Sequence, residues 1–135
     1  MSLLSWSDAM CVGVREIDHQ HQTLVKMANE FHDAILAGAS HEALGRLLNG
    51  LISYTATHFA TEERYFKQTS YPGAAAHIRE HQALVAKVSD MKARFESGRM
   101  LLTIEVTKVL RDWLTHHIME VDKQYSAHLN LAGVR

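Results

Sequence analysis

The chain has 135 residues, 47% of them apolar and 21% charged, with a formal net charge of −1. That length suits one domain with its own hydrophobic core, and the balanced charge offers no basic surface for nucleic acid. No apolar run approaches the roughly 20 residues of a membrane span, and the N-terminus lacks the basic-then-apolar form of a secretory signal, so no membrane insertion and a cytoplasmic location are expected.

The first residues carry Leu3, Leu4 and Trp6, an apolar extended segment suited to lie along a bundle. The first helix is expected from Ile17 to Ala37, where Ile17, His21, Leu24, Ala28, Phe31 and Ile35 recur at three- and four-residue spacing and Gly38 supplies a stop. A second begins near Ser40, a good N-cap, and runs to about Phe66 with Leu44, Leu47, Leu51, Tyr54, His58, Glu62 and Tyr65 on one face. Gly45 and Gly50 weaken its first half, and Thr69-Ser70-Tyr71-Pro72-Gly73 reads as the turn that follows. The third helix, Ala74 to Glu96, aligns His77, His81, Leu84, Val88, Met91 and Phe95 and closes at Ser97-Gly98. The fourth, Leu102 to His128, aligns Val106, Leu110, Trp113, His117 and Val121. Four amphipathic helices with short connections define the expected fold: all-α, an antiparallel up-down-up-down four-helix bundle with an N-terminal extended segment, as one domain over residues 1–135.

The single cysteine, Cys11, excludes an internal disulfide and a cysteine metal cage, which leaves nitrogen and oxygen ligands for any metal. Ten histidines are a large share of such a chain, and histidine is the commonest metal ligand. Five of them, His21, His58, His77, His81 and His117, fall on the inward stripes of all four helices. His19 and His116 fall on polar faces; His32, His41 and His128 read as exposed or peripheral. One inward histidine is ordinarily a hydrogen-bonded core residue. Five without partners would each cost on the order of a few kcal/mol, and a metal centre satisfies them together.

His58-x-x-x-Glu62 and His77-x-x-x-His81 each place two ligand side chains one turn apart and aimed at one point. Each pair alone is common by chance, but on consecutive helices with inward histidines on the other two they reinforce each other. The fourth helix adds Asp122, five residues after His117, which an ideal helix leaves roughly 140° around from it. Local irregularity, such as a π-type turn, or approach to two ions from either side, is therefore expected between them. Taken alone, Asp122 would read as a solvated helix carboxylate.

Five imidazoles and two carboxylates exceed the four ligands of a tetrahedral zinc, and two ions sharing the carboxylates is the natural count. If Glu62 and Asp122 bridge and a solvent-derived oxygen also joins the ions, one position of two octahedral shells stays open for a small molecule. Imidazole with carboxylate suits iron without excluding manganese, zinc or cobalt. So few anionic ligands favour holding oxygen over activating it. Leu24, Phe59, Trp113, Leu114 and Ile118 lie next to or within one turn of the ligands and would wall an oxygen pocket, although each alone would pass as ordinary bundle core.

The joint pattern resembles the hemerythrin family, specifically its single-domain bacterial members. The matching stretches are Val12-Gly13-Val14 through Ile17-Asp18-His19-Gln20-His21, His58-Phe59-x-x-Glu62-Glu63, His77-x-x-x-His81 and Trp113-Leu114-x-x-His117-Ile118-x-x-x-Asp122. The resemblance implies two iron ions joined by an oxo or hydroxo group. His77, His81 and His117 would be terminal ligands of the full ion, His21 and His58 those of the ion with the open position, and Glu62 and Asp122 the bridges. It implies reversible dioxygen binding, without enzymatic turnover, for storage, transport or delivery to an oxygen-using enzyme. The alternatives are oxygen or redox sensing through a separate signalling partner, and oxidase or nitric-oxide-handling activity. Cys11, His19 and His116 receive no role beyond surface or packing.

Overall fold

A computed structural model describes residues 3–98 and 104–135, the side chains of 104–106 excepted. After a short 3-10 turn at Asp8–Met10 come α1 (Arg15–Leu36), α2 (His41–Thr69), α3 (Ala74–Glu96) and α4 (Ile104–His116); a π-helical turn, His117–Asp122, joins α4 to α5 (Lys123–Leu131). The last three form one rod, so the architecture is an all-α four-helix bundle, and no strand occurs among the described residues. α1 packs on α2 and α4, and α2 packs on α3.

The helix ends follow local chemistry. Ser40 caps α2 by accepting the Ala43 N–H at 3.1 Å. α2 runs three residues past the expected Phe66, because Pro72 restricts only the residue before it, and the helix closes instead on Ser70 in the left-handed conformation. α1 starts two residues before Ile17, and α5 runs three beyond His128. The expected start of the fourth helix at Leu102, and the placement of Val106 on its stripe, lie outside the described residues.

Two apolar clusters flank the middle of the bundle. The larger, with Leu24, Val25, Phe31, Leu48, Leu51, Met91, Phe95 and Leu110, fills the end near the α1–α2 turn, and the N-terminal segment lies against it. Leu4 is fastened there twice, since Asn29 accepts its N–H and donates to its carbonyl, both at 2.8 Å. The smaller joins Val12, Val14, Ile17, Phe66, Tyr125 and Leu129 at the opposite end. On α2 the inward stripe is shifted from the one read in the sequence: Leu48 and Phe66 are fully buried, while Leu44, Leu47, Tyr54 and Tyr65 are partly so. Tyr65 keeps its hydroxyl at the surface, donating to Glu16, whereas Phe66 has no polar atom to satisfy.

Candidate metal centre

Between the two clusters the bundle interior turns polar. His21 comes from α1, His58 and Glu62 from α2, His77 and His81 from α3, and His117 and Asp122 from the two ends of the π turn. All seven are buried, at 4% exposure or less. The irregularity expected between His117 and Asp122 is present, and its effect is direct. A π turn brings the fifth residue onward back beneath the first, so His117 Nε2 lies 2.9 Å from Asp122 Oδ1.

Asp122 faces both sides: Oδ1 is 2.9 Å from His77 Nε2, and Oδ2 is 2.7 Å from His21 Nε2. Glu62 Oε1 stands 3.1 Å from His58 Nε2 and 3.2 Å from His81 Nε2. The ligand atoms fall into two groups, each gathered within 4.8 Å: Glu62, His77, His81 and His117, and His21, His58, Glu62 and Asp122. Glu62 belongs to both.

These short approaches are not hydrogen bonds. Both oxygens of Glu62, both of Asp122, and Nε2 of His77, His81 and His117 are buried without a hydrogen-bond partner. A native interior leaves few such groups, each costing about 1–3 kcal/mol and more if charged. Their convergence in two groups with a shared carboxylate fits a pair of cations. In the metal-free chain protons take part of that place. Burial would lower the His117 pKa, but Asp122 and then Glu62 outweigh it and hold it at about 10. Asp122 itself, which burial and the Glu62 charge would raise, is drawn down to about 2 by His117 and His21. Glu62 is likewise held well below the usual carboxylate range: burial would raise it, and His58, His117 and His81 prevail.

Around the centre lie partners that sequence reasoning missed. Gln20 Oε1 accepts from His58 Nδ1 at 2.7 Å, while Gln20 Nε2 donates to Thr61 at 3.0 Å. Glu63 Oε2 accepts from His81 Nδ1 at 3.1 Å. Tyr125 is wholly buried with its ring 5.4 Å from that of His77, and its pKa is held well above the usual value by burial and then by the charges of Asp122 and Glu62. Position three after Asp122, one turn on along the rod, was the available signal for Tyr125. Nothing local marked Gln20, whose partner histidine lies 38 residues away.

Two aromatic side chains lie against ligand rings. Phe59 stacks on His81 with ring centroids 3.7 Å apart and Trp113 on His117 at 4.6 Å. Leu24, Leu114 and Ile118 are buried and Trp113 partly so. Trp113 and Leu114 also border an apolar cavity of about 90 Å³ between α2, α3 and α4, with Leu51, Leu84 and Val88 on its other walls. His19 is exposed, and His116 is exposed and paired with Glu120 at 2.7 Å. His32 and His128 are half-buried, bonded to Thr107 and to the Thr69 carbonyl, and His41 is exposed. Cys11 belongs to neither ligand group, and its thiol is pushed up by burial and then by Asp18 and Asp8.

A family model described as the hemerythrin HHE cation binding domain matches residues 12–129. The chain belongs to the hemerythrin family. A bacteriohemerythrin of Methylococcus capsulatus is 36% identical over 96% of this chain and 99% of its own length. One of Stenotrophomonas maltophilia is 34% identical over 96% and 86%. The crystal structure of a wild-type hemerythrin superposes with a TM-score of 0.90 at 35% identity, over 95% of this chain and 98% of that one. The hemerythrin family is known for oxygen binding at a di-iron site, and no helix among the described residues of this member is long and apolar enough to cross a membrane.

Proposed function

We propose that this hemerythrin binds dioxygen reversibly at two iron ions, as a cytoplasmic carrier that stores or delivers oxygen rather than as an enzyme. His77, His81 and His117 would hold one ion, His21 and His58 the other, with Glu62 and Asp122 shared between them. The observation that carries this reading is the convergence of buried imidazole and carboxylate atoms into two groups that share Glu62, with both carboxylates and the His77, His81 and His117 Nε2 atoms left without hydrogen-bond partners. When bound, a ferrous pair supplies the two electrons that dioxygen uptake requires.

What the chain's own residues do follows from their chemistry. Five neutral imidazoles and two carboxylates leave two divalent ions incompletely neutralised, which disfavours the highly oxidised states that oxidative catalysis needs. Phe59 and Trp113 cover the His81 and His117 rings, and Leu24, Leu114 and Ile118 are buried within a turn of ligand residues. Such walls exclude water and oppose loss of charged oxygen species. The cavity beside Trp113 and Leu114 has the apolar lining that suits a small uncharged molecule.

Metal analysis with absorption spectra of the reduced protein before and after oxygen tests the reading. Two irons per chain and a visible band that reverses on deoxygenation are expected. Fewer than two irons, or bleaching that does not reverse, would overturn it.

A further inference from the structure

The two groups of ligands differ in what stands behind their histidines. A neutral imidazole has one N–H and one lone pair, and the bond made by the outer nitrogen decides which nitrogen faces a metal. On α3, the outer partner of His81 Nδ1 is the carboxylate of Glu63, at 3.1 Å. An ionised carboxylate only accepts, so Nδ1 carries the hydrogen and Nε2 presents its lone pair to the centre. On α2, His58 reaches the same tautomer by another route. Thr61 donates its hydroxyl to the Thr57 carbonyl at 3.1 Å and therefore accepts from the Gln20 amide nitrogen. That orientation turns the Gln20 oxygen to His58 Nδ1, which must donate.

Tautomer and geometry thus match at the two positions, but charge does not. A carboxylate behind a ligand imidazole draws its N–H proton outward and makes the ring a stronger donor; a neutral amide orients the ring with far less push. The outer nitrogens of His21 and His117 are buried and make no hydrogen bond to protein, so they do not offset this difference. Glu63 is partly exposed, its side chain at 37%, so solvent weakens the effect without abolishing it.

Resting on the di-iron reading above, we propose that Glu63 and Gln20 are positioning residues that make the two ions unequal. Glu63, through His81, favours the higher oxidation state at the three-histidine position, and Gln20 holds His58 as an unassisted donor at the other. An iron pair held there would give up its first electron from the three-histidine side.

The test uses the full iron-loaded chain, with iron content and midpoint potentials measured in a mediated, optically followed redox titration. Glu63→Gln keeps an accepting oxygen and removes the charge. It should retain two irons and raise the potential of the first one-electron step by about 59 mV, a tenfold change in that equilibrium. Glu63→Ala should raise it at least as far. Gln20→Glu, which moves a charge behind His58, should lower the potential of the second step. An unchanged or lowered first potential in Glu63→Gln overturns the proposal. So does a shift in Glu63→Ala that Glu63→Gln fully rescues, since Glu63 would then act by orientation alone. If Gln20→Glu does not fold, the half-exposed Glu63 pair decides the matter. A wild type that fails to load two irons defeats the di-iron reading itself; one that loads them, with equal potentials in wild type and Glu63→Gln, defeats only this inference.

Discussion

The apolar end of the bundle and its polar middle are equally buried but are held together in different ways. Phe31, Leu48, Met91 and Phe95 are buried in one apolar cluster, where stability comes from apolar area removed from water. Around Glu62 and Asp122 the chain supplies convergent atoms without partners and two buried negative charges. The first region is finished by folding. The second is satisfied only in part by a proton on His117 and is suited to cations that would complete it, and burying unpaired charge is what folding tolerates least.

The largest expected effect separates the two regions. Phe31→Ala, at a position with no exposed surface, should cost about 3–5 kcal/mol whether or not metal is bound. Denaturant unfolding of both forms checks this; equal stability of variant and wild type would contradict the closed packing at that end. His77→Ala should instead lower iron content and take away most of the metal-dependent stabilisation. Stripping metal with a chelator should in turn lower stability by about 2.7 kcal/mol for each ion, if the ions had been supplied at a hundredfold excess over their dissociation constants. A melting temperature indifferent to chelation and metal return would refute the cation-completed middle.

The pH response of the metal-free chain sharpens the contrast. The Asp122 pKa is depressed to about 2 on folding, so its contribution is present above its unfolded value near 3.8 and is lost as pH falls through about 2. His117 is raised to about 10, so its contribution is full below its unfolded value near 6.5 and is lost as pH rises through about 10. Metal-free stability should therefore be greatest between about pH 4 and 6.5, and the alkaline loss should shrink once metal replaces the His117 proton. A melting profile with no alkaline decline in the metal-free chain would contradict that pairing.

Smaller effects remain. A Cβ on Gly50 would meet only Met27 Cε at 3.6 Å, an ordinary contact. Gly50→Ala should thus stabilise α2 by about 0.5–1 kcal/mol, seen as a higher melting temperature; a lower one would mean that the helices approach more closely there. His116→Ala, at an exposed position paired with Glu120, should leave iron content unchanged.

Much of this was legible in the chain. Periodicity alone placed the helices to within three residues wherever both ends are described, because apolar stripes and end signals such as Ser40 and Gly38 are local. The i to i+4 pairs on α2 and α3 were legible for the same reason. Irregularity on the fourth helix was legible too, since the five-residue step from His117 to Asp122 fits no regular turn that aims both inward, and the structure resolves it as a π turn. Phe66 was harder: it and Tyr65 are both aromatic, and only packing shows which side chain enters the core. Gln20 could not be read at all, because its value lies in meeting His58 and Thr61 across a helix interface.

The sequence by itself determined the bundle, the inward histidines and the His58–Glu62 and His77–His81 pairs, since these depend on residue type and spacing along a helix. The tertiary structure decided that Asp122 faces both groups, that Glu62 belongs to each, and that a carboxylate stands behind His81 but an amide behind His58. Those facts concern distances between side chains on different helices. Such distances are set by how whole helices pack, and no local rule of spacing contains them.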